Sequence, residues 1–376
     1  MKILMLNYEF PPLGGGAANA CKYILKEMSR KGIEVDLVTS SSNKFEIEKI
    51  SESVNVYRLA VGKENIHYWT QREILSYSWK AKRFVRGLIG EKRYDLCHAF
   101  FGIPCGAIAY LYRKQLPYIV SLRGSDVPGF NQRFSFQYIF LKPIIRRIWE
   151  NAKAVIANSD GLRKLAQKTY RNCAVDIIYN GIDIEQFKPA RGNNNKLRLL
   201  CVSRLIERKG IDYLLRSISL IKEEFSNIFE LWIVGEGNLE QQLKRLSRQL
   251  GIVDVISFKG YIEHDRLPDI YAISDIFILP SLNEGMSNTV LEAMASGLPI
   301  VTTDTGGAKE LIDGNGIIIP TNDVKGITGA LSKLIKKTSL RKQMGIKSRE
   351  LASKFSWSAV AEDYMSLYEK CLKNIN

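Results

Sequence analysis

The sequence alternates short apolar segments with longer amphipathic ones, and the alternation starts again after a break near residue 190. Short apolar segments with room for a helix between them are typical of parallel strands that are covered on both faces. The break, 189-PARGNNNK-196, contains proline, glycine and three consecutive asparagines and therefore predicts a linker. We predict an α/β fold with two Rossmann-like domains, residues 1–190 and 196–355, and a deep cleft between them. The predicted strands cover residues 2–8, 34–40, 95–100, 118–124, 154–159 and 176–181, and then residues 197–205, 230–236, 254–261, 275–280, 299–304 and 316–320.

The composition indicates two domains and an anionic partner. A chain of 376 residues is too long for one ordinary core, and its formal net charge is +15. Six scattered cysteines without a C-x-x-C pair indicate free thiols in a reducing compartment, and three distant histidines argue against a histidine metal site. The first residues predict a strand rather than a signal peptide, and the longest uncharged run, 99–112, is too short to span a bilayer. We therefore expect a cytoplasmic protein, and attachment to the inner face of a membrane stays open.

Three glycines follow the first predicted strand and precede a helix. Gly14, Gly15 and Gly16 would let the backbone approach a ligand closely, and a helix N-terminus favours anions. The spacing is not G-x-G-x-x-G, so the loop does not indicate a dinucleotide dehydrogenase. A tight turn between strand and helix is the alternative.

Two cations follow the first strand of the second half. Arg204 and Lys209 lie five residues apart, and Gly210 precedes a helix. At the carboxyl end of a parallel strand, where ligands bind in open sheets, a guanidinium fork and an ammonium group can converge on a diphosphate. A solvated surface pair is the alternative.

The stretch 281-SLNEGMSNTVLE-292 joins a predicted strand to a helix and carries two glutamates. The N-terminus of that helix would hold an anion opposite Arg204 and Lys209. Glu292 would accept hydrogen bonds from ribose hydroxyls, and Glu284 would face the group on the far phosphate, because a carboxylate repels a diphosphate. The alternatives are a surface carboxylate for Glu292 and a partner of the helix dipole for Glu284. The backbone amides expected to contribute are those of Gly285, Met286, Ser287, Asn288 and Thr289.

These segments, in this order, resemble the retaining glycosyltransferases of family 4. The similarity extends from about residue 2 to residue 365. The resemblance implies a GT-B fold, in which two Rossmann domains face each other and the C-terminal one holds most of a nucleotide-sugar donor. It also implies that the last helix, residues 356–376, returns to the first domain. The segments that carry the resemblance are 10-FPPLGGGAANA-20, 154-AVIANSDGLRKL-165, 178-IYNGIDIEQF-187, 202-VSRLIERKG-210, 284-EGMSNTVLE-292 and 295-ASGLPIVTTDTGGAKELI-312.

The resemblance also assigns roles by position. Arg204 and Lys209 would hold the diphosphate of a UDP-type or GDP-type donor, and Glu292 would bind its ribose. Glu284 and the amides of residues 285–289 would contact the transferred sugar and the phosphates. Family members need no cofactor or metal, and the chain has no D-x-D triplet. The remaining implied donor contacts are Gly15 and Gly16, which would close over the donor, and Gly235 and Tyr261, which would lie near the base.

One position departs from the family pattern. Many members carry a histidine where this chain has Arg123, and that histidine is thought to contact the transferred sugar. Arginine cannot act as a base at neutral pH, but it could bind a charged sugar or stabilise the diphosphate. Asp126, three residues further on, would order this loop or reach the acceptor. The expected catalytic residues are therefore Glu284, Arg123 and Asp126.

Two segments of the first half combine cations with aromatic residues. Residues 79–93 carry six cations and one acid, and residues 133–150 alternate aromatic residues with Arg and Lys. Such segments suit an anionic membrane surface, and a core helix with a solvated basic face is the alternative. No recognition fold for nucleic acid accompanies the charge, so we predict no nucleic-acid partner.

The sequence therefore predicts a retaining, metal-independent glycosyltransferase. It would transfer a sugar from a nucleoside-diphosphate sugar to a saccharide or lipid-linked acceptor in envelope polysaccharide or glycolipid synthesis. A non-catalytic binder of sugar nucleotides, in which Arg123 marks lost activity, and a nucleotide-sugar epimerase are the alternatives.

Overall fold

The structure, a computed structural model, describes residues 1–63, 69–130, 135–190, 196–225 and 227–373, with the backbone alone for residues 135–137. The chain forms two compact units. The first contains Met1–Asn180 together with Trp357–Asn376, and the second contains Gly181–Ser356.

The first unit ends about ten residues before the predicted linker. The reason is that residues after Asn180 pack within the second unit. The Ile182 N–H donates to the carbonyl of Phe355 at 2.6 Å, and the Phe187 ring lies 5.7 Å from the Tyr271 ring. Residues 191–195 of the predicted linker lie outside the described residues.

The first unit is built on an eight-stranded sheet with the order β3-β4-β2-β1-β5-β6-β7-β8. All neighbouring strands are parallel except β3 and β4, which form an antiparallel pair at one edge. The sequence did not predict this pair. The strands are β1 (Lys2–Leu6), β2 (Glu34–Ser41), β3 (Glu46–Ser51), β4 (Val54–Ala60), β5 (Leu96–Phe100), β6 (Tyr118–Ser121), β7 (Ala154–Ala157) and β8 (Val175–Ile177).

Helices cover this sheet and bury an apolar stripe against it. Helix α2 begins with a capping box, in which Thr70 and Glu73 satisfy each other's backbone N–H groups. The last helix, α13, packs against α1, and the rings of Tyr23 and Trp357 stack at 5.3 Å. The helices of this unit are α1 (Gly16–Arg30), α2 (Gln71–Glu91), α3 (Ala107–Leu111), α4 (Ser135–Glu150), α5 (Asp160–Thr169) and α13 (Trp357–Lys373).

The second unit is built on a six-stranded parallel sheet with the order β11-β10-β9-β12-β13-β14. Its strands agree with the six predicted for the second half of the sequence. They are β9 (Leu197–Val202), β10 (Phe229–Val234), β11 (Ile256–Gly260), β12 (Ile276–Leu279), β13 (Ile300–Thr303) and β14 (Gly316–Ile319). The helices are α6 (Ile211–Phe225), α7 (Glu240–Gln249), α8 (Leu267–Ala272), α9 (Asn288–Ala295), α10 (Ala308–Leu311), α11 (Val324–Lys336) and α12 (Thr338–Ala352).

The centre of this second sheet determines where the chemistry lies. Strands β9 and β12 are parallel neighbours, with Leu199 opposite Ile276 and Leu200 opposite Phe277. The loops that follow these two strands therefore leave the sheet at the same edge, although 75 residues separate Lys209 from Glu284.

Candidate active site

The loops after β9 and β12 are fastened to each other by their backbones. The N–H of Leu282 donates to the carbonyl of Arg208 at 2.7 Å. Gly210 has a φ of +61°, and a Cβ at this position would lie 2.3 Å from the carbonyl oxygen of Pro280. Glycine is therefore required here both for the backbone conformation and for the close approach of the two loops.

Lys209 and Glu284 form a buried ion pair between these loops. The Nζ of Lys209 donates to Oε1 of Glu284, and the hydroxyl of Ser281 donates to the same oxygen at 2.7 Å. Both side chains are largely withdrawn from solvent, so the alternative of a solvated surface pair is wrong for Lys209. The side chain of Arg204, by contrast, is exposed.

The electrostatics of the pair favour an incoming anion. Burial lowers the pKa of Lys209, the charges of Arg208 and Arg204 lower it further, and Glu284 opposes this shift without reversing it. Burial alone would raise the pKa of Glu284, but the charges of Lys209 and Arg208 and the hydrogen bonds from Lys209 and Ser281 lower it. Glu284 thus faces two nearby cations, Lys209 and Arg208, while Arg204 adds its charge near Lys209. A second anion would be stabilised beside these cations.

Helix α9 begins at Asn288, after a short turn that starts at Glu284. Ser287 caps the helix, and its Oγ accepts a hydrogen bond from the N–H of Val290 at 3.4 Å. The carbonyl of Gly285 accepts from the N–H of Gly307 at 2.9 Å, which holds the turn before the helix. Gly306 allows this arrangement, because a Cβ there would lie 1.8 Å from the carbonyl oxygen of Glu284.

The other predicted residues of this turn surround the helix start. Met286 and Gly285 are buried, whereas Asn288 and Thr289, the first residues of α9, are half-buried. The hydroxyls of Ser287 and Thr289 lie 3.1 Å apart. The start of a helix carries partial positive charge and donor N–H groups, so this end of α9 suits an anion.

Glu292 is held by two side chains that the sequence did not identify. His264 Nε2 lies 3.1 Å from Oε1 of Glu292, and the hydroxyl of Tyr271 donates to Oε2 at 2.8 Å. Glu292 is buried, so the alternative of a surface carboxylate is wrong. Each carboxylate oxygen can accept more than one hydrogen bond, which leaves capacity for ligand hydroxyls.

The loop after β10 packs against the loop that carries Arg204. Gly235 has a φ of +126°, and a Cβ there would lie 2.0 Å from the carbonyl oxygen of Ser203. Tyr261, the residue after β11, is half-exposed. The structure therefore gives Gly235 a packing role beside Arg204 and leaves the ring of Tyr261 accessible.

Gly15 and Gly16 belong to the first unit, at the start of α1. Gly15 is the N-cap residue, and a Cβ on it would meet no atom within 4 Å. At Gly14 the φ is +101°, and a Cβ would lie 2.7 Å from Cβ of Glu9. The glycine requirement of the turn itself therefore lies at Gly14, and Gly15 leaves open space above the helix start.

Arg123 and Asp126 also belong to the first unit, in the loop after β6. Asp126 accepts hydrogen bonds from the N–H groups of Gly102 at 2.7 Å and Arg123 at 2.9 Å. Burial raises the pKa of Asp126, although these backbone hydrogen bonds oppose the shift. Asp126 thus orders the loop, which is one of its two predicted roles.

The guanidinium of Arg123 is engaged with the protein. It donates to Oδ1 of Asn180 at 3.0 Å and to the hydroxyl of Tyr364 on α13 at 3.1 Å, and it lies 4.3 Å from the centre of the Phe100 ring. Arg123 therefore ties the carboxyl end of β6 to the last helix.

A buried histidine, which no motif in the sequence indicated, extends this connection. His98 Nδ1 lies 2.6 Å from the hydroxyl of Tyr368, and Nε2 lies 2.7 Å from the hydroxyl of Ser121. Burial, with a smaller contribution from the charge of Arg123, holds the pKa of His98 well below its usual range. The histidine is thus a neutral hydrogen-bonding group of the core.

The described residues of the two basic–aromatic segments belong mostly to helices α2 and α4 of the first unit. Residues 79–93 include most of α2, and the part of the second segment before residue 138 lies outside the residues with described side chains. Over the described parts of the chain, no helix is both long enough and apolar enough to cross a membrane. Among the same residues no group of His, Cys, Asp and Glu side chains is arranged to hold a metal ion, and metal independence stays a prediction.

Two α/β units built on parallel sheets are the GT-B architecture of glycosyltransferases, and solved structures share the fold over the whole chain. Sucrose-phosphate synthase from Thermosynechococcus elongatus superposes with a TM-score of 0.86 at 19% identity, covering 100% of both chains. The Anabaena protein HepE in complex with UDP-glucose superposes with a TM-score of 0.73 at 18% identity, covering 98% of this chain and 100% of that one.

The family follows from sequence models and relatives. The model described as Glycosyltransferase Family 4 matches residues 14–186, and the model described as Glycosyl transferases group 1 matches residues 183–351. An uncharacterized glycosyltransferase of Methanocaldococcus jannaschii is 27% identical, covering 98% of both proteins. The D-inositol 3-phosphate glycosyltransferase of Corynebacterium jeikeium is 26% identical, covering 98% of this chain and 97% of that protein. The chain belongs to glycosyltransferase family 4 and is a glycosyltransferase.

Proposed function

We propose that this glycosyltransferase is metal-independent, uses a nucleoside-diphosphate sugar of the UDP or GDP type, and retains the configuration of the transferred sugar. The acceptor would be a saccharide or a lipid-linked saccharide of envelope polysaccharide or glycolipid synthesis, handled at the inner face of the membrane. The observation that carries the proposal is the meeting of Lys209, Glu284 and the N-terminus of α9 at one edge of the second sheet.

The positive charge at that edge of the sheet supports the proposal that the donor contains a diphosphate. Lys209 is buried, pairs with Glu284 and is acted on by the positive charges of Arg208 and Arg204, which favours binding of an anion beside it. The N-terminus of α9 adds donor N–H groups and the positive end of a helix dipole. A diphosphate carries two adjacent anionic groups, which matches a pair of cations that faces a helix start. That HepE is found with UDP-glucose supports the same donor class.

The position of Glu292 supports the proposal that this residue binds the ribose of the donor. The buried carboxylate of Glu292 lies about one turn into α9 and is oriented by His264 and Tyr271. It would accept hydrogen bonds from vicinal hydroxyls. Hydrogen bonds to a charged acceptor are worth about 1.5–3 kcal/mol. A nucleoside without these hydroxyls should therefore bind more weakly.

The cations would act on the leaving group. In the transfer, the bond between the anomeric carbon and the β-phosphate oxygen breaks, and its electron pair stays on the diphosphate. The acceptor hydroxyl oxygen forms the new bond on the same face, and its proton passes to the departing phosphate oxygen. Lys209, Arg204 and the start of α9 would stabilise the charge that develops on that oxygen. When the donor binds, Glu284 would release Lys209 to the diphosphate and accept hydrogen bonds from hydroxyls of the sugar instead.

Binding of the donor is tested by calorimetry with UDP, GDP and their sugars, including an acidic sugar because Arg123 replaces the family histidine. Lys209→Ala should weaken nucleotide binding by roughly 10-fold to 100-fold, as expected for a lost charge-assisted contact. Arg204→Gln, at an exposed side chain, should also weaken it. The matched control is Lys222→Ala, since Lys222 pairs with Asp254 on the surface of the same unit. Unchanged affinity for both nucleotides in Lys209→Ala would refute the diphosphate assignment.

The reaction is tested with the donor that binds best. Nuclear magnetic resonance of early products of transfer or slow donor hydrolysis should show the anomer of the donor, and a chelator should leave the rate unchanged. The opposite anomer would overturn retention, and loss of activity with chelator, restored by added metal, would overturn metal independence.

A further inference from the structure

The outer face of α2 carries apolar and basic side chains together. Leu75 and Trp79 on this helix are 67% and 59% exposed. Lys82, Arg83 and Arg86 continue the same stripe toward the C-terminal end, at helical spacing from Leu75 and Trp79. The opposite stripe of the helix is buried in the core of the first unit. The exposed stripe is thus a second, outward-facing amphipathic surface.

An apolar hollow adjoins Trp79. It has a volume of about 390 Å³ and is lined mainly by apolar groups, which include Phe45, Leu59, Trp79 and Phe84. The ring of Phe45 is half-exposed and lies 5.6 Å from the ring of Phe84. Soluble proteins rarely leave several large apolar side chains together in water without a partner for them.

The charged side chains on the exposed stripe of α2 are all basic. Among the described residues, Lys82, Arg83 and Arg86 form no ion pair, and the guanidinium of Arg83 lies 5.1 Å from the centre of the Trp79 ring. The acids of α2 lie elsewhere, because Glu73 is buried in the capping box and Glu91 ends the helix. We call Phe45, Leu75, Trp79, Lys82, Arg83 and Arg86 the α2 face.

We propose that the α2 face docks on the surface of a bilayer that contains anionic phospholipids. Tryptophan and phenylalanine prefer the interfacial region of a bilayer, and adjacent lysines and arginines bind the acidic headgroups. A second copy of the chain fits less well, because a symmetric contact would bring the cations of both copies together. The proposal deepens the proposed function, on whose lipid-linked acceptor it rests, by assigning the surface that meets the lipid.

The test measures flotation of the full-length chain with vesicles of phosphatidylcholine alone and with vesicles that also contain phosphatidylglycerol. We expect binding to the anionic vesicles that weakens as salt rises. Each cation near an anionic surface contributes about fivefold to binding, so Lys82→Gln/Arg83→Gln/Arg86→Gln should lose roughly 100-fold. Leu75→Ser/Trp79→Ser should also lose binding through its apolar contacts.

Matched controls separate this surface from the general positive charge of the protein. Lys333→Gln/Lys337→Gln/Lys342→Gln removes the same charge from exposed positions of the second unit, and Ile346→Ser removes an exposed apolar side chain there. Both should bind vesicles as the unmodified protein does. Equal losses in the charge control and the α2 variant would overturn the proposal, as would no flotation of the unmodified protein.

Two further outcomes also decide the proposal. If sedimentation shows a dimer that Trp79→Ser dissociates while vesicles stay unbound, the α2 face is a contact between copies and the proposal is wrong. Nucleotide affinity measured on the same variants should stay unchanged, because the α2 face contains none of the residues assigned to the donor, and Lys209, Glu284 and Glu292 lie in the second unit. If the unmodified protein binds no nucleotide, the proposed donor is wrong. The flotation result still decides separately whether the α2 face docks on the bilayer.

Discussion

The ion pair between Lys209 and Glu284 should stabilise the folded protein, and this can be tested without a substrate. The two side chains are 11% and 13% exposed. Removing one partner of a buried pair typically costs 3–5 kcal/mol, because the other charge stays buried without compensation. In Lys209→Met the hydroxyl of Ser281 still donates to Glu284, and the charge of Arg208 stays nearby. We therefore expect a loss of about 3 kcal/mol in the free energy of unfolding near pH 7.

The double variant and the pH dependence identify the cause of this loss. Adding Glu284→Gln to Lys209→Met should restore about 2 kcal/mol, because the stranded charge is gone. In the unmodified protein the pKa of Glu284 is lowered, so its contribution is present above the unfolded-state pKa and is lost as pH falls through the folded-state pKa. In Lys209→Met burial should raise that pKa, so the penalty should be relieved as pH falls. The difference between the two proteins should therefore shrink from neutral toward acidic pH.

The assay is urea denaturation followed by circular dichroism at several pH values. The control is Lys244→Met, which breaks the more exposed pair with Glu240 and should cost less than about 1 kcal/mol. A loss in Lys209→Met that stays constant across pH, or that Glu284→Gln does not reduce, would refute the reasoning.

Two further predictions concern the geometry around the glutamates. Gly306→Ala should cost about 3 kcal/mol or more in urea denaturation, because its Cβ would lie 1.8 Å from the carbonyl oxygen of Glu284. Gly314→Ala, which also has a positive φ but no atom within 4 Å, should cost only about 1–2 kcal/mol, and equal losses would contradict the steric argument. Tyr271→Phe should lower the free energy of unfolding by about 1.5–3 kcal/mol, because Glu292 loses the hydrogen bond that the Tyr271 hydroxyl donates to it. The same variant should weaken nucleotide binding in calorimetry, and an unchanged affinity would show that Tyr271 does not orient Glu292 for the ligand.

The parallel strands of both units were predictable because buried strands form short apolar runs that a window of sequence reveals. The β3–β4 pair escaped prediction for a physical reason. The strand 46-EIEKIS-51 lies at the sheet edge, is largely exposed and alternates charges with isoleucine, so it has no continuous apolar run. The alternation in 54-VNVYRLA-60 was a usable signal for β4.

The types of residue in the site were predictable from the sequence, but the contacts between their side chains were not. The loop cations and glutamates could be identified because they follow strands. That Lys209 is buried against Glu284, and that His264 and Tyr271 hold Glu292, depends on strand order and helix packing across tens of residues. The engagement of Arg123 with Tyr364 depends on where α13 packs, which the spacing of residues does not encode.

The place of α13 in the first unit has a consequence for synthesis on the ribosome. The first unit draws on residues at both ends of the chain, whereas the second is one continuous segment, Gly181–Ser356. At about 5–20 residues per second, translation of that segment takes roughly 10–35 seconds. Throughout that interval His98 and Ser121 lack the hydroxyls of Tyr368 and Tyr364. The second unit can therefore reach its native state before the first. Until α13 is synthesised, the sheet of the first unit lacks this helix and is accessible to chaperones.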